Sequence, residues 1–368
     1  MAKILYVGGF ALPDGNAASI RAFSIAVEIV KLGYSVDILG IHNCFKNLDV
    51  VEIEWGTAGI TFFAKSKKKV WRKLSAFIDK KKYDGIICYN THADLTQLLL
   101  MKCKRNGIAL ALDLTESGAF NILKGWMSSV DNYIRLKYQY KKIQNHIFIT
   151  RYIGRNYGGN NIVIPSLQYP IREATAALSI SEEDPIEFVF CGNVNGLTSK
   201  ERIDNIVGAF SKVFGGNNRY RLTLIGVSEK EYVSAFGKVD DTNIVFKGRV
   251  EHKECIQFIR KCAFSLIIRD ACEKNNAGFP TKLGESLYCG TVPIITDVGE
   301  ISDYLEDGKD SFILQNAAQE TVAECFRKIQ GKDTDTINEM KQNAFRNSNL
   351  QGSNFSDKLA PFMERFLN

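Results

Sequence analysis

The stretch NAGFPTKLGESLYCGTVPIITDVG, residues 276–299, is read as a loop, a helix and a strand in that order. Pro280 fixes φ and needs no N–H, which suits a first helical position, and Gly290 stands where a helix end takes a left-handed residue. Leu283 and Leu287, four apart, face a core, which leaves Thr281, Lys282 and Glu285 on the remaining face near the helix start. TVPIIT then reads as a buried strand, being short, apolar and β-branched.

A helix N-terminus offers free N–H groups and a partial positive charge. Here it also carries a Lys and a Thr hydroxyl, with Gly278 and Gly284 leaving room for close approach. That is a seat for a diphosphate. Glu285, a turn further in, can accept hydrogen bonds from a vicinal diol such as a ribose. The pattern describes a nucleotide, and the competing reading is an amphipathic helix whose Lys and Glu are merely solvated.

The run FPTKLGESLYCGTVPIITDVGEISDYLEDGKDSF, residues 279–312, resembles the nucleotide-sugar signature in the C-terminal domain of family 4 glycosyltransferases. That family has the GT-B fold, an α/β architecture of two Rossmann-like domains with parallel sheets facing across a cleft. Its members usually carry two glutamates eight apart, the first near the transferred sugar and the second on the ribose. Glu285 matches the second, while the first falls at Ala277, so the chain is similar to the subset with a Pro-(Ser/Thr)-Lys helix start. The resemblance implies a UDP- or GDP-linked sugar as donor substrate, with no further cofactor. It places donor contacts at Ala277, Gly278, Phe279, Pro280, Thr281, Lys282 and Glu285.

Working outward, Lys3 to Val7 is an apolar strand, GGFALPDGN a loop, Ala18 to Leu32 an amphipathic helix closed by Gly33, and SVDILGI the next strand. Strand, Gly-rich loop, helix and strand open a Rossmann-like half, although Gly8, Gly9 and Gly15 do not make a dinucleotide fingerprint. The resemblance has Gly8, Gly9, Asp14, Asn16 and Arg21 facing the cleft; the alternative is a turn kept permissive by glycine. GIICYN and IALALDL read as two further buried strands with a helix between them, and HIFIT closes the first sheet. IVIPSLQYP looks like the exit into the second domain, since two prolines interrupt any helical period. The second domain restarts the alternation: EFVFCGNV, RLTLIG, NIVFKG and AFSLIIR as strands, with helices from Ile203 to Phe214 and Glu254 to Cys262. The expected organisation is an acceptor-side domain over 1–167, a nucleotide-sugar domain over 168–350, and a closing helix over 351–368 that packs back on the first.

The size suits two domains with cores of their own: 368 residues, 45% hydrophobic and 24% charged. The nine cysteines are scattered without a C-x-x-C pair and mostly sit in apolar runs, which points to a reducing compartment rather than a disulfide or metal framework. The first residues read as a strand rather than a signal peptide, and no run approaches a membrane span. The expected place is the cytoplasm, with a peripheral position on the inner membrane face. That position rests on KSKKKVWRKLSAFIDKKK, residues 65–82, a strongly basic segment in which Trp71, Phe77 and Ile78 would supply apolar contacts to an anionic surface. Tyr133, Tyr138 and Tyr140 beside Arg135, Lys137, Lys141 and Lys142 would widen the patch. The alternative is a solvated helix packed by its apolar stripe.

Glycosyl transfer must neutralise a departing diphosphate, hold donor and acceptor, and stabilise an oxocarbenium-like centre. Asp240 and Asp241 are adjacent in a polar loop and so fail as a metal-holding Asp-x-Asp, and positive side chains and a helix N-terminus are expected to replace a metal. The candidates are Lys200 and Arg202 together with Lys282, and then Arg269 at a strand end. The resemblance puts an Arg and a Lys in the loop after EFVFC, beside Gly192 and Asn193, and alignment to the following Ala-Phe also admits Glu201 at the Lys position. Arg249 and Val250 lie where relatives contact the base. Where the family often places a His on the acceptor side, this chain offers Asp113 and Glu116, with His92 one strand away. The leading expectation is a retaining, metal-independent glycosyltransferase acting on a glycan or lipid-linked acceptor in cell-surface polysaccharide assembly. A non-catalytic nucleotide-sugar-binding companion subunit is the alternative, and an epimerase ranks below both.

Overall fold

A computed structural model describes residues 1–10, 16–41, 60–65, 70–116, 126–168, 176–192 and 200–368. It divides into two compact units, one of Met1–Pro170, Ala277–Phe279 and Gln351–Asn368, the other of Ile171–Asn276 and Pro280–Leu350.

The first unit runs β1 (Lys3–Gly8), α1 (Ala17–Lys31), β2 (Ser35–Ile41), β3 (Ile60–Lys65), α2 (Val70–Lys81), β4 (Gly85–Tyr89), α3 (Ala93–Asn106), β5 (Ala109–Leu114), α4 (Trp126–Ile134), β6 (Asn145–Phe148), α5 (Arg151–Gly154) and β7 (Asn160–Val163). Its strands pair in parallel in the order β3-β2-β1-β4-β5-β6-β7. Helices return the chain between parallel strands, so both faces of the sheet are covered and Ile4, Leu5, Tyr6 and Val7 all lose their solvent exposure. HIFIT does not close this sheet: β7 lies beyond it, in the Asn160–Val163 run that precedes Pro165 and retains every backbone N–H a ladder needs. In α2, Leu74, Phe77 and Ile78 are buried, Phe77 beside the Tyr83 ring at 6.0 Å between centroids. Phe77 and Ile78 therefore serve the core and are not available to a membrane, a correction to the expectation for this helix.

The second unit runs β8 (Ile186–Cys191), α6 (Ile203–Phe214), β9 (Tyr220–Ile225), α7 (Glu229–Phe236), β10 (Ile244–Gly248), α8 (His252–Lys261), β11 (Phe264–Ile267), α9 (Glu273–Asn276), α10 (Thr281–Cys289), β12 (Val292–Thr296), β13 (Phe312–Leu314), α11 (Gln319–Gln330) and α12 (Thr334–Arg346). Its parallel sheet has the order β10-β9-β8-β11-β12-β13. An aromatic core holds it to its helices, with the Phe188 ring 5.0 Å from Phe264, 5.2 Å from Phe326 and 5.6 Å from Phe214. Such ring pairs add to area burial through offset and edge contacts. The last helix, α13 (Ser356–Leu367), packs on β5, β7 and α1 of the first unit. Leu359, Phe362 and Met363 on it are fully buried.

In both sheets the chain order reverses beside the first strand, at β1/β4 and at β8/β11. Open α/β sheets bind ligands outside the carboxyl ends of the strands at such a reversal. The β8/β11 reversal is where residues 276–299 deliver α10. Gly290 ends that helix at φ +68° as the sequence requires, and a Cβ there would lie 2.4 Å from that of Ala177. Pro280 is the N-cap, one residue ahead of its expected place, and Leu283 and Leu287 are fully buried.

Candidate active site

Lys282, in the first turn of α10, sends its Nζ to 3.1 Å from Glu201 Oε1 and 4.9 Å from the centre of the buried Phe190 ring. Gly192, just past β8, makes room for it, since a Cβ there would stand 2.6 Å from Nζ. Arg269, just past β11, donates from Nε and Nη2 to the same Glu201 oxygen at 2.9 and 2.6 Å. Burial works against a charge on Glu201, but Lys282 and Arg269 outweigh it and hold the carboxyl down at about 2. Two cations and one carboxylate thus leave a net positive site beside the free N–H groups of α10, whose N-cap supplies no side-chain acceptor.

One turn into α10, Glu285 meets His252 of α8, Oε1 to Nε2 at 3.1 Å. Both side chains keep some solvent contact, 23% for Glu285 and 40% for His252, so a ligand can reach the carboxylate. Thr281 is half-buried at the first position of α10, and Val250, after β10, packs on the small cluster around Ile259 and Cys289. Arg249 is exposed.

Arg202 does not join this site. Its guanidinium is taken up by Asp204, at 3.0 and 2.8 Å, and by Asp270 at 3.2 Å, because both carboxylates flank the start of α6. Lys200 is exposed, its carbonyl 3.5 Å from Asn275 Nδ2. The cations that converge are Lys282 and Arg269, and Glu201 is the residue that gathers them. The only sequence signal for it was its alignment with a Lys position. His252 had no signal at all. Asn193, like Asp14 in the first loop, lies outside the described residues.

The first unit revises the expectations for Asp113, Arg21, Asn16 and Gly8. Asp113 is fully buried and Arg21 nearly so; Arg21 donates to both carboxylate oxygens at 2.8 and 2.9 Å and to the Ile164 and Pro165 carbonyls at 2.8 and 2.9 Å. Tyr6 adds a hydroxyl to Asp113 at 2.5 Å, its phenol pushed well up by burial and by the carboxylate. Asp113 and Arg21 are therefore core partners rather than groups open to an acceptor. Asn16 caps α1 in a reciprocal box with Ser19 and donates to the Gly9 carbonyl at 3.2 Å, so its side chain shapes the turn. Gly8 is buried, and a Cβ there would press within 2.8 Å of Phe10 and Tyr89, which gives packing as the reason for glycine. Gly9 and Glu116 are exposed at strand ends. His92 is 77% exposed and 3.4 Å from Asp131. Ala277 is fully buried with its carbonyl accepting from Thr150 at 3.2 Å, Phe279 is buried, and Gly278 is half-buried.

Residues 185–330 match the family model described as glycosyl transferases group 1, which spans β8 to α11 and contains the whole Lys282, Arg269, Glu201 and Glu285 group. Among solved structures, sucrose-phosphate synthase from Thermosynechococcus elongatus aligns at TM-score 0.72 and 13% identity over 99% of each chain. HepE from Anabaena in complex with UDP and glucose aligns at TM-score 0.66 and 14% identity, over 99% of this chain and 100% of that one. The chain has the GT-B fold. A glycosyltransferase from Rickettsia africae has the same architecture, at TM-score 0.66 and 12% identity over 100% of this chain and 99% of the other. No curated protein sequence matches at a significant level.

Proposed function

We propose that this GT-B protein is a retaining, metal-independent glycosyltransferase of the family 4 type with a Pro-(Ser/Thr)-Lys helix start. It moves a sugar from a UDP- or GDP-linked donor to a glycan or lipid-linked acceptor in cell-surface polysaccharide assembly. The observation that carries the reading is the convergence of Lys282 and Arg269 on the N-terminal end of α10, inside the region that matches glycosyl transferases. Two fixed cations and a helix N-terminus stabilise the negative charge that gathers on a departing diphosphate, and being preorganised they need not rearrange as it forms. Glu285 takes the ribose diol, exchanging His252 for two hydroxyl donors. On the acceptor side the exposed Glu116 replaces Asp113 as the carboxylate able to orient a hydroxyl. The test is hydrolysis and transfer with a panel of UDP- and GDP-sugars in the presence of EDTA. Turnover of one donor under those conditions supports the reading, and a strict need for Mg²⁺ or Mn²⁺ refutes its metal-free chemistry. The buried methyl of Ala277, in place of an acid, favours the second reading of a companion subunit, for which donor binding without any turnover is the expected result.

Glu285→Gln should weaken binding of the cognate nucleoside diphosphate by about 1.5–3 kcal/mol, the worth of one charge-assisted hydrogen bond, as measured by calorimetry. Undiminished binding by a folded variant would remove the ribose assignment.

The proposed membrane surface moves from α2 to α4 and the turn after it. Val130, Tyr133, Ile134 and Tyr138 are 38%, 40%, 38% and 51% exposed, and Lys137 lies over the Tyr133 ring at 5.0 Å. Lys141 and Lys142 are exposed beside them, while Lys67, Lys68 and Lys69 lie outside the described residues. Each basic residue at an anionic leaflet contributes roughly 1 kcal/mol. Co-sedimentation with phosphatidylserine vesicles should fall with salt and with Lys→Glu changes at 137, 141 and 142. Absence of binding at low salt would leave a soluble acceptor as the reading. Among the described residues no helix is long and apolar enough to cross a membrane.

A further inference from the structure

We propose that Glu201 is a built-in counter-anion, which holds Lys282 and Arg269 at the diphosphate seat and weakens the grip of that seat on the spent nucleoside diphosphate. The inference rests on the nucleotide-sugar reading above and assigns a positioning role within it.

Glu201 is the only carboxylate among the described residues that either cation contacts at ion-pair distance, and a single oxygen, Oε1, receives both. Its side chain is 7% exposed, that of Arg269 11% and that of Lys282 21%. Charges so little hydrated interact strongly, and the sum at the site is one positive charge where two cations alone would give two. The arrangement fixes both long side chains in advance, Lys282 also being steadied by the Phe190 face. Fixing them lowers the conformational cost of receiving a ligand. It also sets a repulsion that grows with ligand charge. A sugar diphosphate diester carries two negative charges. Once the sugar–oxygen bond breaks, its electron pair stays on the diphosphate, whose terminal phosphate then has a second ionisation near about 6 and gains up to one charge more. Two bare cations would hold that product more tightly than the donor. A buried carboxylate beside them opposes the product more than the donor, and so favours release after transfer.

Inorganic pyrophosphate is the probe, because it reports on the seat whatever base or sugar the enzyme uses. Glu201→Gln keeps the shape and an acceptor oxygen but removes the charge, and it should bind pyrophosphate at least about tenfold more tightly than the parent, since like charges at this range are costly. Glu201→Asp, which keeps the charge, should show no gain. With a donor that turns over, the Gln variant should also show stronger product inhibition and a lower kcat. Unchanged or weaker pyrophosphate binding by folded Glu201→Gln overturns the proposal, as that is what a purely structural carboxylate would give. If the Gln variant does not fold, infrared difference spectra of the parent with and without pyrophosphate decide. A shifted buried-carboxylate band, the mark of a bound phosphate charge felt by Glu201, supports the proposal, and no shift overturns it. Tighter pyrophosphate binding together with no affinity for any sugar nucleotide would keep the counter-anion and refute the donor reading. Donor turnover with unaltered pyrophosphate affinity would do the reverse.

Discussion

Arg21→Met is expected to destabilise the first unit by about 3–5 kcal/mol, the cost of leaving a buried charge without its partner. The guanidinium satisfies both oxygens of Asp113 and two backbone carbonyls after β7, and nothing else among the described residues supplies a positive charge to Asp113 at ion-pair distance. The double replacement Arg21→Met with Asp113→Leu should recover much of the loss, because removing both charges also removes their desolvation cost. Since the chain has two compact units, the measurement is native-state hydrogen exchange at the amides of β1, β4 and β5 rather than one global transition. A loss of transfer activity by Asp113→Asn with these amides still protected would restore a chemical role to Asp113.

Lys282→Met should lower turnover by about a hundredfold or more, since a preorganised positive contact on developing charge commonly has that worth. The methionine can keep the stem on the Phe190 face and under Gly192, and Glu201 remains paired with Arg269, so folding should survive. Arg202→Gln, by contrast, should change turnover little, because its charge is already engaged by Asp204 and Asp270. Steady-state kinetics with the donor that emerges from the sugar-nucleotide panel checks both. Equal losses in the two variants would mean that the pairing of Arg202 opens when donor binds.

The fold was legible where single residues leave the backbone little choice. Pro280 and Gly290 bracketed α10 to within one residue, and the apolar period from Ile203 to Phe214 marked α6 over the same bounds that the structure shows. Strand β7 was hidden because the prolines that follow it read as an exit, and a four-residue edge strand carries too little pattern to compete. Within the site, Lys282 and Glu285 were readable because one helix places them. Glu201 and Arg269 meet across 68 positions, and Asp113 and Arg21 across 92, and no local spacing announces either pair. A charged residue at the end of a buried strand has the same sequence signature whether it faces a ligand or closes a core ion pair. That ambiguity sent Asp113 to the chemistry and left Arg269 as a lesser candidate, while Arg202, at the start of α6, has the same signature whether it meets a phosphate or pairs with Asp204 and Asp270.

The most direct test of the central claim is a crystal structure of the protein with its nucleoside diphosphate bound, UDP and GDP each being tried. The account predicts phosphate oxygens on the Lys282 amine, the Arg269 guanidinium and the first N–H groups of α10, with both ribose hydroxyls on Glu285 and His252 displaced from it. A diphosphate held by Lys200 and Arg202 away from Lys282, or a ribose that leaves the Glu285–His252 contact intact, would contradict it.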